Sequence, residues 1–508
     1  MMIRRTYLRY LTMIVILTFF ISLALTNASS ETSFLNSSSY INVRAYGAKG
    51  DAITNDTAAV RAAVAAAKSA GKTVFFPAGL YKISESVEIP AGVNVEGITS
   101  AANGPWQNLY DGESKNVKYN GKGSSNYYDP KMNPGSWVLA INGSNNIDAG
   151  ATFQLRGNNT VRKIGFINMY CPPLYEADII PTPPVIGADI NKLASTKGIV
   201  IEDISLSNPY IGIAVYQGSL KNYNTSSKLS GKSSGPIKIS NIMGAAMYRG
   251  ISVIGANGKV NIDNIQFNYA TYGTAYVKQH WNYCVDIDIA ASSNVSVTNV
   301  LSFGAQTGLK TSSAFSGSAV NITASNLNLE GEKTLVLNAS GKHELTNCYL
   351  LLTHFSDTSI EKDWAAVSIK QDTASSVSPV YNLTNFVFQD SISNVTLPDI
   401  QVDVEVGGKA TVNLTNATMW HWNPSDNEPI IRYKHNSGSA SKFTVTNLAL
   451  CTTGNGLLAT VGGSAYKSGE LTFKYSRFPT SVMGSINSAI KFIDCTKYRD
   501  GVNTLYNN

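Results

Sequence analysis

The sequence predicts an all-β solenoid, and three observations predict it: a phrase of alternating apolar residues closed by a bend recurs many times, glycine and tyrosine are abundant, and long amphipathic helical patterns are scarce. Of the 508 residues, 43% are hydrophobic and only 15% are charged, which supplies a large core and excludes a disordered or highly charged chain. The formal charge of +6 suits an acidic glycan. No dense Lys/Arg run with interleaved aromatics marks a nucleic-acid groove, so no nucleic-acid partner is expected.

The first element is a segment for export. Arg4, Arg5 and Arg9 precede an uncharged run from Leu11 to Leu25 and then the small polar stretch Thr26 to Ser30, the three-part layout of a signal sequence. That run is shorter than the roughly 20 residues of a spanning helix. Residues 1–28 are therefore expected to be a cleaved signal, with an uncleaved anchor as the alternative and as the only membrane contact. A secreted or cell-surface location follows. Residues 29–40 read as a polar linker, and no further stretch has membrane length.

The next element runs from Val43 through Tyr46-Gly47-Ala48-Lys49-Gly50-Asp51 to Thr54-Asn55-Asp56-Thr57 and an alanine-rich stretch ending at Ala70. It reads as strand, turn and helix. Asn55 or Asp56 caps the free N–H groups, Val60, Val64 and Ala67 share one face, and Gly71 supplies the stop. A β-rich run follows, with Phe76-Pro77-Ala78-Gly79-Leu80-Tyr81 at its centre.

These three motifs, in this order and spacing, resemble the opening of the pectate-lyase-like superfamily, which includes polygalacturonase-related proteins and many phage tailspikes. The resemblance covers about the first 60 residues after the signal. It implies a single-stranded right-handed parallel β-helix whose short N-terminal helix caps the open end, where a bare strand edge would invite strand addition. It also implies a carbohydrate context, with a monomer and a homotrimer both open.

The repeat is clear in Ile199 to Leu206, Ile237 to Ile242, Val260 to Phe267 and Val295 to Val300, and later copies bend at Asn326, Asn347, Asn385, Asn416 and Asn447. Steps of 23 residues from Asn241 to Asn264 and 21 from Asn326 to Asn347 suit one solenoid turn, and the 38 from Asn347 to Asn385 imply an inserted loop. Asn tolerates the left-handed conformation of a sharp bend, and stacked Asn side chains hydrogen-bond from coil to coil. One β-helix domain is expected over 41–500, with inserted loops near 101–137 and 171–197 and a tail at 501–508. The Asn-x-Ser/Thr triplets arise partly from this repeat. The five cysteines have no disulfide or zinc spacing and read as small buried hydrophobes, Cys348 and Cys451 among them.

Candidate site residues fall in two places. In the first inserted loop, Trp106, Tyr110, Tyr119, Tyr127, Tyr128 and Trp137 offer rings for sugar stacking, and packing of the loop against the coil is the equal alternative. The strands preceding the Asn bends offer the second, because their outward residues align across coils about 4.8 Å apart. Alternation places Asp286 and Asp288 on one exposed face, after His280, Trp281 and Tyr283, as a proton-sharing pair or a seat for a calcium ion. The same register sets Asp403 beside Arg432 and Glu405 between Lys370 and Lys434, with Lys310 on the same face. Asp286, Asp288, Asp403 and Glu405 are thus the candidate catalytic acids. Trp281, Lys310, Lys370, Arg432 and Lys434 join the loop aromatics as substrate-binding candidates, and His421, between Trp420 and Trp422, is a third candidate that reads as a groove or packing residue rather than a general base.

Two functions are consistent with these residues. One is a polysaccharide lyase or glycoside hydrolase, which needs a protonated acid with a second carboxylate, or a base with a cation that neutralises a uronate. The other is a non-catalytic glycan-binding or spike-like rod whose charges form a solvated ladder. The Asn-Thr-Asp, Asp-Asp, Gly-His-Gly and Arg-Ile-Lys signatures of polygalacturonases and the Trp-Ile-Asp-His segment of pectate lyases are absent. No catalytic residue carries over from the resemblance, and the enzyme is favoured only by the habits of the superfamily.

Overall fold

The computed structural model describes residues 39–99, 135–168, 180–221, 229–268, 284–313, 318–353, 365–371, 378–390, 399–404, 409–421, 429–435, 441–452, 457–462, 471–479, 489–499 and 502–506. Among them the strands form two sheets, one of 21 strands and one of 12. Each coil gives one long strand to the larger sheet and one short strand to the smaller, as Val295–Ala305 and Thr307–Ser312 do in turn. Successive coils pair in parallel, and the crossovers give a right-handed parallel β-helix. No helix among the described residues is long and apolar enough to cross a membrane.

The long strands bend where the sequence places Asn. Asn241, Asn264, Asn299, Asn326, Asn347, Asn385, Asn416 and Asn447 all hold φ between 54° and 58°. This left-handed region is costly for most side chains and cheap for Asn, whose amide bonds locally. The amides form two runs. Asn264 donates to Asn241, and Asn241 to Asp203. Separately, Asn447, Asn416, Asn385, Asn347, Asn326 and Asn299 donate each to the one before it, and Asn299 ends on Asp263.

Inside the coil, residues in register form rows. One row on the long strands runs Leu206, Gly244, Phe267, Ser302, Leu329, Leu350, Phe388, Met419, Leu450. These rows merge into a continuous core from Val43 to Cys495. Each Leu, Ile or Phe withdrawn from water contributes ~1.5–3 kcal/mol, which is how a rod one coil wide stays folded.

Helix α1, Thr57–Ala70, closes the N-terminal end by burying Thr57, Val60, Ala63, Val64 and Ala67. Its cap divides the work expected of one residue. The Asn55 carboxamide oxygen accepts from the Thr57 N–H and hydroxyl, while the Asp56 carboxylate turns back to accept from the N–H groups of Lys49 and Gly50. Gly71 ends the helix at φ 63°. At the other end, Cys495–Arg499 pairs antiparallel with Val502–Tyr506.

Three expectations change. Trp137 is not a loop ring: it lies in the strand Ser136–Ala140, fully buried, its indole filling the space where a side chain at Gly165 would stand. The stretch 171–197 holds the strand Pro184–Asp189, which pairs with Ile211–Tyr216 on the smaller sheet. A proline at the first residue of a strand forfeits no interior ladder bond, so Pro184 reads as a loop and folds as a strand. Cys284, Cys348 and Cys495 are buried, but Cys451 stands half-buried beside Trp420 on the outer face, since its register partner is an outward residue. All four are free thiols.

Candidate functional site

The short strands of the smaller sheet turn a corner at their second residue. Arg249 pairs with Val285 and Ile251 with Ile287, skipping Gly250 and Asp286. A side chain at Gly250 would meet the core ring of Phe267, while Ile251 and Ile287 also face the core. Two consecutive residues therefore point inward, and the period-two alternation breaks.

The corner separates the two aspartates. Asp286 lies inside the coil, where its carboxylate accepts from the Ser302 hydroxyl at 2.5 Å, and Ser302 belongs to the core row. Asp288 lies on the outer side, 3.4 Å from Nε of Arg249 and in register with Lys310. Both are buried, at 0% and 1% exposure. They form neither a proton-sharing pair nor a calcium seat, because they sit on opposite sides of the sheet. No group of three or more His, Cys, Asp or Glu among the described residues is arranged to hold a metal ion.

Arg249 organises the outer side. Its guanidinium donates to the carbonyl of Leu220 at 3.1 Å and to the hydroxyl of Tyr248 at 2.9 Å, besides pairing with Asp288. It thereby ties a turn, a strand and the loop holding Leu220 together. Asp148 secures that loop from the other side, accepting from the Leu220 N–H at 2.6 Å and the Ser219 hydroxyl at 2.7 Å. Beneath them Ile147, Ile211, Tyr216, Leu220 and Ile254 form a separate apolar cluster on the outside of the sheet. Burial, with Asp189 and Asp148 adding negative charge nearby, pushes the Tyr216 phenol up to about 12.

Above this base Tyr210 and Tyr248 stack at 5.0 Å between ring centroids with a 22° tilt, and both line a cavity of about 220 Å³. The stretch from Asn145 to Asp148, with Pro181 and Lys221, completes its wall. Half-buried rings, a carboxamide and a cation at one cavity suit a sugar ring, whose apolar face stacks and whose rim hydroxyls or carboxylate take hydrogen bonds. Asp148 is already committed to the loop and serves as a clamp.

The C-terminal charged rows exist, but two residues out of the expected register. Gln401 pairs with Arg432 and receives its hydrogen bond at 3.2 Å, while Asp403 lies between Lys370 and Lys434, with Lys434 Nζ at 3.5 Å. The place expected for Glu405 thus belongs to Asp403, and the place expected for Asp403 belongs to Gln401. Again the corner decides: Ile400 aligns with Ile431 as the inward residue, which fixes the outward pairs. Lys370 and Lys434 stand exposed at the rim, while Asp403 and Arg432 are half-buried and Gln401 is buried, a charged ladder on the outside of the sheet. Trp106, Tyr110, Tyr119, Tyr127, Tyr128, His280, Trp281, Tyr283, Glu405 and Trp422 lie outside the described residues, and so does the side chain of His421.

Sequence reasoning missed Arg249 and the tyrosine pair. A signal was present: Tyr210 and Tyr248 hold the same repeat position, each just before a short strand. It also missed Glu330, set between Phe303 and Leu351 on the outer face of the larger sheet, where burial pushes its carboxyl up to about 7.

Comparison with known proteins places this arrangement in context. Residues 40–129 match the family described as rhamnogalacturonase A/epimerase, pectate lyase-like. A glucan 1,3-beta-glucosidase of Cochliobolus carbonum is 45% identical over 63 residues, 12% of this chain and 8% of that protein. Mannuronan C5-epimerase AlgE1 of Azotobacter vinelandii is 32% identical over 143 residues, 27% of this chain and 9% of that protein. The chain thus spans less than a tenth of the length of either relative. Among solved structures, the N-terminal fragment of gene product 12 of bacteriophage phi29 superimposes with a TM-score of 0.52 at 13% identity, covering 92% of this chain and 73% of that one. The chain carries a pectate-lyase-like opening and folds as a pectate-lyase-like right-handed parallel β-helix.

Proposed function

We propose that this is an exported carbohydrate-active protein that seats a polysaccharide on the outside of the twelve-stranded sheet, against Tyr210 and Tyr248. The carrying observation is the stacked tyrosine pair at a 220 Å³ cavity whose floor is held by Arg249, Asp288 and Asp148. A prearranged platform of this kind saves the ordering that a mobile one would need on binding. The names of the glucosidase and epimerase relatives support a glycan as the ligand. Export is inferred from the basic and apolar N-terminal segment.

The test is retention of the purified protein on a panel of acidic and neutral polysaccharides. Tyr248→Ala should weaken binding of the retained glycan about tenfold, the equivalent of ~1.4 kcal/mol. Unchanged retention by the Tyr210→Ala and Tyr248→Ala variants would remove the cleft from consideration.

Cleavage of a glycan lying along the outer face of the larger sheet, by lyase or hydrolase chemistry, is the second reading, and Glu330, which stands on that face and away from the tyrosine cleft, favours it. Burial pushes its carboxyl up to about 7, so about half of it is protonated at neutral pH, the poise that suits a general acid. Reducing ends would indicate a hydrolase and unsaturated uronates a lyase. Either activity should fall at least a hundredfold in Glu330→Gln, and glycan that stays intact under the native protein leaves a binding rod.

A further inference from the structure

A second concave surface lies on the other sheet, where the long strands begin. It is a groove of about 420 Å³, formed by the turns that lead into five successive coils. Lys197, Lys238 and Lys259 line it, one from each of three consecutive coils, with Asn158 and Thr160 on the coil before them and Asn261 beside Lys259. None of its lining residues is acidic and none is aromatic.

The charges around the groove do not cancel. On the neighbouring strand positions, Glu96 is met by Arg162 and Lys163, and Glu202 by Lys238 and Arg162. Asp263 is turned toward the next coil, where it accepts from Thr298 and Asn299. Among the described residues no ion pair is recorded for Lys197 or Lys259, and both are exposed. Lys197 and Lys259 thus stand at the groove as cations that none of these carboxylates neutralises.

We infer that this groove is a binding site for a carboxylated saccharide, separate from the tyrosine cleft. Lys197 and Lys259 come from coils two apart, about 10 Å along the axis, with Lys238, held by Glu202, on the coil between them, so two uronate carboxylates of one oligosaccharide can meet the two outer cations. Carboxamides and a hydroxyl beside them match sugar hydroxyls. The lack of a lining ring leaves no stacking platform for a neutral sugar or a nucleic-acid base. Recognition here rests on charge and hydrogen bonds.

The experiment is calorimetric titration of the full protein with a tetragalacturonate and with the same oligosaccharide after its carboxyls are reduced to alcohols. The native protein should bind the acid form and not the reduced form. Affinity should fall about tenfold as ionic strength rises from about 0.01 to 0.15 M, which shortens the Debye length from about 30 to 8 Å. The double variant Lys197→Ala, Lys259→Ala should lose at least tenfold in affinity, while Lys491→Ala keeps it. Absent binding, equal binding of the reduced form, or unchanged affinity in the double variant overturns the inference. Loss in Tyr248→Ala alone assigns the ligand to the tyrosine cleft and overturns it equally, whereas a failure of the cleft leaves the groove standing.

Discussion

Two sets of side-chain hydrogen bonds hold this solenoid, one on its outside and one within. The outer set is the Asn run, exposed to water and repeated with one residue type. The inner set bridges the two sheets across the core and repeats nothing: Asp286 meets Ser302, and Thr311 meets His343 at 3.1 Å, with the His343 ring tilted against Tyr381. Outside, each bond competes with water and contributes little, so stability comes from number and from the bend that Asn tolerates. Inside, each polar group lost to water has to be matched by the one partner placed opposite it. The outer set is a rule, and the inner set is a series of individual solutions.

The sharpest break in that comparison should come at Gly250. A methyl group there would stand 2.5 Å from the Phe267 ring and 2.6 Å from the Asp286 carbonyl oxygen, beside an inner bond. Gly250→Ala is expected to cost about 4 kcal/mol in chemical denaturation. A loss under about 1 kcal/mol would show that the corner yields and that the inner set is not held rigidly.

His343 tests the inner set by pH. Burial lowers its pKa to about 4, against an ordinary value of 6.5. The folded state therefore refuses a proton that the unfolded chain accepts between those values. Its contribution is fully present above pH 6.5 and is lost as pH falls toward 4, on the order of 3 kcal/mol in all. In His343→Phe the ring is replaced by one that cannot titrate, and the melting curve should lose this part of its acid sensitivity. Identical pH profiles for the two proteins would place the acid response elsewhere.

The smallest effect belongs to the outer set. Asn347→Ala removes two amide contacts and puts an ordinary side chain at φ 57°, for about 1–2 kcal/mol. Asn347→Gly removes the same contacts but keeps the conformation, and should recover roughly half of the loss. Equal losses in the two variants would assign the whole role of Asn to its hydrogen bonds.

The same contrast explains what could be read from the amino acids. The Asn bends, the alternating strands and the capping helix were legible because each follows from local geometry: a left-handed bend, a period of two, an amphipathic face closed by Gly71. The corner was not. Whether Asp286 faces water or the core depends on Ser302, which lies on the opposite sheet, and no spacing within Val285–Ala290 encodes that. The two-residue error that set Asp403 against Arg432 has the same origin, since the inward alignment of Ile400 with Ile431 is a fact about three dimensions. Arg249 was missed because its partners, Leu220, Tyr248 and Asp288, come from a loop, a turn and a later coil.

The Asn run also has a direction. Every amide in it donates toward the coil before, and each of its two segments ends on a carboxylate, Asp203 or Asp263. Aligned dipoles that terminate on a negative charge polarise one another in a single sense. The rod is therefore electrically asymmetric along its axis, with an arrow drawn by side chains alone, which a row of glycines making the same bends would not carry.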